Sequence, residues 1–437
     1  MRAGRIHRMT REAGPFGTRV GEPSLDWPTV VARQHAIVRQ FQPSVGSFEA
    51  KGVRVYLGTA RFEDPRTLRL DSGDIVTGER ILIAAGSEPV IPPVDGAALG
   101  ITSDDLLFIE EFPADLVIVG AGVIGLEMAG AFSDLGARVT VIARESEILP
   151  QFDPDVAAYL RTILEVRGVT FRTTAIISGL SGRRGDVTVR FAVGELVREV
   201  RANAVCFATG RRWTPRMLGA EPLELAMGRL GLRTSAHLAT SLPHVYAAGD
   251  AAGNMQLTPT AAYEGRVAAR NALRSDTVAA DLSVVPQTVF TTPEIARVGL
   301  THGEAQRRRI ACHVATHDMR GASNGVVTGE DDGYLKLVFE HGSERLLGVQ
   351  MVSYAAAELI QLATLALRTG ATADQLSAQL SVHPSHAERL IKITAHEYHE
   401  YCELGGPDMS AGGPRHGPPD PPAFGAPRET RGAPLPP

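Results

Sequence analysis

The stretch VIVGAGVIGLE, residues 117–127, decides how this chain is read. An uninterrupted apolar run ends at Gly120, and Gly122 and Gly125 complete a G-x-G-x-x-G spacing. The next residues, LEMAGAFSDLG (126–136), read as a helix, and ARVTVIAR (137–144) as a second strand. The glycines therefore sit inside a strand–turn–helix–strand unit, the context that turns a weak motif into a dinucleotide fingerprint. The first glycine permits the tight turn, the second lets a pyrophosphate approach the backbone, and the third lets helix pack on strand. The helix start then aims free N–H groups and its positive dipole end at the phosphates. This spacing assigns Gly120, Ala121, Gly122, Val123, Ile124, Gly125, Leu126 and Glu127 to a nucleotide site. Such a fingerprint normally opens a nucleotide domain, so its late position needs an explanation.

The end of the second strand bears on which nicotinamide nucleotide binds. A carboxylate about 20 residues beyond the fingerprint takes the ribose hydroxyls of NAD. Here that position is Ala143, followed by Arg144. A guanidinium without a preceding carboxylate suits a 2′-phosphate, which favours NADPH over NADH. Glu145 blurs the field, Arg144 also reads as a solvated strand end, and NADH stays open.

Working outward, the stretch 153–171 adds a helix and a strand, DVTVRFAV (186–193) alternates as a half-buried strand, and ANAVCFATGR (202–211) is a strand ending at Gly210. Before the fingerprint, WPTVVARQHAIVRQF (27–41) reads as a helix in an otherwise weakly patterned start. Short strands begin at Val53, and ILIAAGSEP (81–89) reads as a buried strand delivering a tight turn. After it come the strand end HVYAAGDAAG (244–253) and the helix TPTAAYEGRVAARNAL (258–273). From about 286 the strands LKLVFE and LLGVQMVS and the helix AAELIQLATLALRTG (356–370) read as an α+β domain. The tail 404–437, rich in Pro and Gly, has little to bury and is expected to be disordered.

The chain has 437 residues, 44% hydrophobic and 21% charged, with net charge −5. That charge gives no reason to expect nucleic acid or an anionic membrane surface as partner. The arginine-rich start has no apolar run behind it, and no stretch reaches the roughly 20 apolar residues of a membrane span, so a cytoplasmic protein is expected. Three cysteines, Cys206, Cys312 and Cys402, stand singly, which suggests neither a metal knuckle nor a local redox pair. No metal site is expected.

Several stretches together resemble the pyridine nucleotide–disulfide oxidoreductases, the flavoproteins that include dihydrolipoyl dehydrogenase, glutathione reductase and mercuric reductase. AAGSEP (84–89) is similar to the family's ATGS turn, with Ala85 for Thr. FATGRRWTP (207–215) is similar to its ATGR-x-P-N segment, with Trp213 and Thr214 departing from it. YAAGDAAG (246–253) resembles the YAxGD motif, FTTPEIARVGLT (290–301) the opening of the interface domain, and HPSHAE (383–388) the HPTxxE signature. The resemblance implies an α/β fold with two Rossmann-like nucleotide-binding domains, the FAD one incomplete, and a C-terminal α+β dimerisation domain. Its divisions would be a partial FAD domain (1–110), an NAD(P)H domain (111–236), a second FAD segment (237–282) and an interface domain (283–403).

By the same resemblance, Asp250 would accept a hydrogen bond from the ribityl chain of FAD, with Met255, Gln256, Leu257 and Thr258 along the flavin. Gly86 would lie at the FAD side and Gly210 near the nicotinamide cofactor, with Glu127 near its ring. His383 would protonate a leaving thiolate with Glu388 orienting it, facing the other subunit's flavin in a homodimer. From the residues alone, Asp250 equally suits the N-cap of the helix at 258–273, and His383 an ordinary surface role. The fingerprint at 117–127 then becomes the second of two, the one for the nicotinamide donor.

Two features that the resemblance implies do not occur in residues 1–50: a strand–GxGxxG–helix unit for FAD and a Cys-x4-Cys redox pair. The mercuric-type pair of C-terminal cysteines is missing as well. The expected function is an FAD-dependent NAD(P)H oxidoreductase, mercuric reductase- or dihydrolipoyl dehydrogenase-like, acting on a small thiol, disulfide or metal acceptor. An N-terminus cut short by a wrongly assigned start would account for the gap. The alternatives are a thiol-free relative acting as an NADPH oxidase or diaphorase, and a non-catalytic dimeric remnant.

Overall fold

The computed structural model describes residues 1–274, 277–392 and 400–401. At its centre the fingerprint strand (Asp115–Val119) lies between Ala204–Phe207 and Arg138–Ile142, in a five-stranded parallel sheet completed by Ile101–Thr102 and Thr170–Arg172. Leu116, Val117, Ile118 and Val119 are all buried, as a parallel strand covered on both faces requires. The fingerprint helix (Val123–Asp134) and the helix Pro154–Val166 contribute Leu126, Phe132, Val156 and Leu160 to the core on one face. An antiparallel meander, Ala175–Arg183, Asp186–Val193 and Leu196–Ala202, contributes Leu180, Val189 and Phe191 to a second cluster with Val117, Val119 and Phe207.

The half formed by residues 53–100 and 211–274 is thinner. Ile81–Ile83 pairs in parallel with Val245–Ala247 in a two-stranded sheet, and Ala60–Asp64, Thr67–Leu70 and Ile75–Thr77 form a separate antiparallel sheet. Trp213, which departs from the family pattern, is 1% exposed and packs with Phe62, Ile83 and Val245 in this half's core. The strand at 81–83 is not buried throughout, contrary to expectation. Ile83 is 3% exposed but Leu82 is 38% exposed. Among the described residues only Val245–Ala247 pairs with this strand, leaving its other edge open, and successive side chains alternate between its faces, so Leu82 points away from the core that holds Ile83. The strand expected to begin at Val53 is likewise absent over 53–57; Val53, Tyr56 and Leu57 are exposed.

The C-terminal part is a six-stranded antiparallel sheet among the described residues, covered by the helix Ala356–Thr369 through Ala356, Ile360 and Ala363. At the start of the chain the structure adds a helix that the sequence reading did not contain, Arg2–Arg11. It lies on the fingerprint helix through Gly4, whose backbone approaches Ala131 and Asp134, while Arg8 pairs with Asp134 at 3.2 Å. The expected helix Trp27–Phe41 is present, with Trp27 donating its indole N–H to the Ile109 carbonyl at 2.8 Å. The tail 404–437 lies outside the described residues.

Candidate functional site

The fingerprint turn has the shape its spacing implies. Gly120 has φ +116°, and a side chain there would run into the Ala208 carbonyl; one on Gly125 would run into the Gly120 carbonyl. A side chain on Gly122 would meet nothing within 4 Å. Two glycines therefore pack the turn against its own fold, and the third leaves room beside the helix start. Gly122 is the N-cap of the fingerprint helix and no side chain caps it, so its first N–H groups face that space without intrahelical partners. The residues fit a pyrophosphate.

Around this turn Ala121 and Leu126 are buried, Ile124 is half-buried and Val123 is exposed. Glu127 accepts the Phe290 N–H at 3.0 Å, tying the fingerprint helix to the segment that leads into the interface sheet. Burial raises its pKa, opposed by that hydrogen bond. Ala143 is buried, and Arg144 is exposed with its guanidinium on Glu145 at 2.8 and 3.2 Å. Such an exposed pair contributes little to stability.

The second group of residues gathers where this thinner half meets the fingerprint sheet. Asp250 is in a short 3-10 turn, Gly249–Ala252, and the N-cap of Thr258–Leu273 is Leu257, so Asp250 is not that helix's cap. Its Oδ2 accepts the Ser87 hydroxyl at 2.6 Å. Gly86 and Gly210 border open space, and Gln256 donates to the Arg211 carbonyl at 3.1 Å. Met255 and Leu257 are half-buried, Thr258 is exposed, and no side chain caps the helix that begins there. A carboxylate, an open turn and an uncapped helix suit a polyhydroxyl, anionic ligand such as part of FAD. Among the described residues no second strand–GxGxxG–helix unit cradles its pyrophosphate.

Sequence reading missed three residues here. Glu264, wholly buried, accepts the Gly249 N–H at 2.7 Å and the Asn254 amide at 3.0 Å, and so holds the turn that carries Asp250. Ser87 and Arg211 complete the cluster. Both stood in quoted motifs, but only their long-range partners reveal what they do.

The HPSHAE segment forms a third place. His383 Nδ1 lies 2.9 Å from Glu388 Oε2; the imidazole is 64% exposed and the carboxylate 3%. Nδ1 is thus engaged by a carboxylate, while the imidazole as a whole stays largely exposed. His386, whose pKa burial lowers, takes part in a separate cavity with Glu330 and Arg389. Cys206 is buried, and burial together with Asp105 and Asp104 pushes its thiol up to about 12. A thiol held that far from ionisation does not exchange with disulfides at neutral pH.

The family model of the pyridine nucleotide-disulphide oxidoreductases matches residues 9–265, and that family's dimerisation domain matches residues 285–393. The chain belongs to this family. A glutathione reductase of Burkholderia cepacia is 30% identical over 387 residues, 87% of this chain and 85% of that protein. A dihydrolipoyl dehydrogenase of Bacillus subtilis is 33% identical over 397 residues, covering 87% and 84%. A mercuric reductase of Shigella flexneri is 33% identical over 418 residues, covering 92% of this chain and 72% of its own. Among solved structures, the HOCl-induced flavoprotein disulfide reductase RclA from Escherichia coli superposes with a TM-score of 0.78, at 26% identity, over 89% of each chain. The fold is that of the family: mixed α/β nucleotide-binding domains followed by a C-terminal dimerisation domain. Members of this pyridine nucleotide–disulfide oxidoreductase family use FAD and NAD(P)H.

Proposed function

We propose that this member oxidises NADPH, with NADH as the weaker donor, and delivers the electrons through FAD to a small thiol, disulfide or metal acceptor. The observation that carries the reading is the fingerprint turn, closed by Gly120 and Gly125 and open at Gly122. In this reading the first turn of the fingerprint helix binds the donor's pyrophosphate, Arg144 turns from Glu145 to the 2′-phosphate, and Asp250 holds the ribityl chain. FAD, when bound, supplies the two-electron relay between donor and acceptor. His383 holds the transferable proton on Nε2, oriented by Glu388, and gives it to a departing thiolate. The dimerisation-domain match supports a homodimer in which this pair faces the partner's flavin. The division into 1–110, 111–236, 237–282 and 283–403 belongs to the same reading, as does a cytoplasmic setting; among the described residues no helix is long and apolar enough to cross a membrane.

Purified protein supplied with FAD and NADPH tests the proposal. His383→Gln should lose about a hundredfold or more of any disulfide-linked turnover, the scale of a general acid–base contribution, while NADPH binding stays unchanged. Equal loss of both would refute the assigned role.

A second reading is favoured by the cysteines. The 437 residues hold no Cys-x4-Cys pair, the buried Cys206 thiol is pushed up to about 12, and Cys312, expected to stand singly, is instead held in a disulfide. In this reading the acceptor would be oxygen or a quinone in place of a disulfide, as in a diaphorase. Activity with a quinone and none with any disulfide would select it.

A further inference from the structure

Arg211 stands in the ATGR-like segment, whose resemblance assigns no role to its side chain. Its backbone pairs with Pro89 in the short antiparallel link between the two halves, Arg211–Arg212 with Glu88–Pro89. Its guanidinium makes two different sets of contacts. Nε donates to the Ser87 hydroxyl oxygen at 3.1 Å and Nη2 to the Ser87 carbonyl at 2.7 Å. Nη1 reaches Asp104 at 3.2 and 3.3 Å. The Asp104 side chain is 61% exposed, so that ion pair contributes little. The contacts to Ser87 are half-buried and directional.

Their consequence follows from how a hydroxyl is built. A serine has one proton to give and accepts through its lone pairs. With Arg211 Nε donating to Oγ, that proton is aimed away from the guanidinium, and it lies on Asp250 Oδ2 at 2.6 Å. One oxygen of Asp250 is thereby taken, and Oδ1 is left for a hydroxyl of a ligand. The Arg211 carbonyl meanwhile holds Gln256, two residues before the uncapped helix Thr258–Leu273. A single residue thus fixes the turn at Ser87, the rotation of the Asp250 carboxylate, and the approach to the helix start.

We propose that Arg211 is a positioning residue for the flavin site, acting through the Ser87 hydroxyl to present one oxygen of Asp250 to the sugar-alcohol chain. This rests on the FAD reading above. Lysine would not replace it, because a point charge cannot serve the serine hydroxyl and carbonyl together as the planar fork does.

The test is FAD titration of the full-length protein, followed by flavin absorbance and fluorescence, with NADPH titration and thermal melting of each variant alongside. Arg211→Met and Ser87→Ala should each weaken FAD binding by roughly tenfold, the scale of one charge-assisted hydrogen bond. The double variant should lose no more than either alone, since both act on one path. Asp104→Asn should bind FAD as the unaltered protein does, and NADPH affinity should stay within about twofold throughout. Three results overturn the proposal: unchanged FAD affinity in Arg211→Met, losses that add in the double variant, or an equal loss in Asp104→Asn, which would make Arg211 a plain ion pair. If the unaltered protein takes up no FAD while still binding NADPH, the flavin reading itself fails and the proposal falls with it.

Discussion

Asp153 shows how much of this fold rests on single buried charges. Its carboxylate accepts the His302 and Gly303 N–H groups at 2.9 and 3.0 Å and the Gln350 amide at 2.6 Å, with Lys336 at 3.3 Å. Burial works to raise its pKa, but Lys336 and these donors outweigh it and hold the group below its ordinary value. The sign follows: a carboxylate whose folded pKa is depressed adds stability above about pH 4, and that contribution is lost as pH falls through the folded value. Asp153→Asn leaves Lys336 buried with Asp155 as its remaining acid at 2.9 Å, and should cost about 3 kcal/mol at pH 7. Denaturant unfolding at pH 7 and below pH 4 measures it; a gap between variant and parent that does not narrow in acid would contradict the assignment. None of this was legible in the sequence. Asp153 stood there as a helix start before Pro154, and its true partners lie some 150 to 200 residues away.

At the scale of elements, the glycines of the fingerprint make separable predictions. Gly122→Val fills open space beside the helix start, so it should abolish NADPH binding with little effect on the melting temperature. Gly125→Ala must push against the Gly120 carbonyl and should destabilise the fold by about 1–3 kcal/mol, the scale of overpacking. Isothermal titration beside thermal unfolding separates the two, and a Gly122→Val protein that still binds NADPH would remove the fingerprint from the donor site. Elements of this kind were readable because local pattern and global role agree. Thr258–Leu273 begins at a Thr-Pro start and keeps its period for 16 residues. Arg2–Arg11 was not readable, since it buries only Gly4 and its arginines look like a solvated surface. The run 53–57 has the β-branched and aromatic residues of a strand without being one: composition suits a strand, but a strand also needs a neighbour, and sequence pattern alone does not supply it.

At the scale of the molecule, the family, its C-terminal dimerisation domain and the glycine fingerprint were all present in short motifs, because each motif is a backbone constraint that few sequences meet. The flavin-side cluster was legible only as places. Ser87, Arg211 and Glu264 act on Asp250 across 14 to 163 residues of chain, and spacing is silent about that.

The open edge at Leu82 has a consequence for how the protein breathes. A five-stranded sheet covered on both faces opens only with the whole fold, whereas a two-stranded parallel pair with one free edge opens locally and at low cost. Amide hydrogen exchange should therefore run in two classes, with residues 81–83 and 245–247 exchanging far sooner than 115–119 and 204–207. A ligand that binds only the closed form raises the opening free energy of the region it touches. Added FAD should slow exchange at 81–83 and 245–247 and leave the fingerprint strands unmoved; added NADPH should not protect the flavin-side strands. Uniform exchange across both sheets would mean that the two halves open as a single cooperative unit.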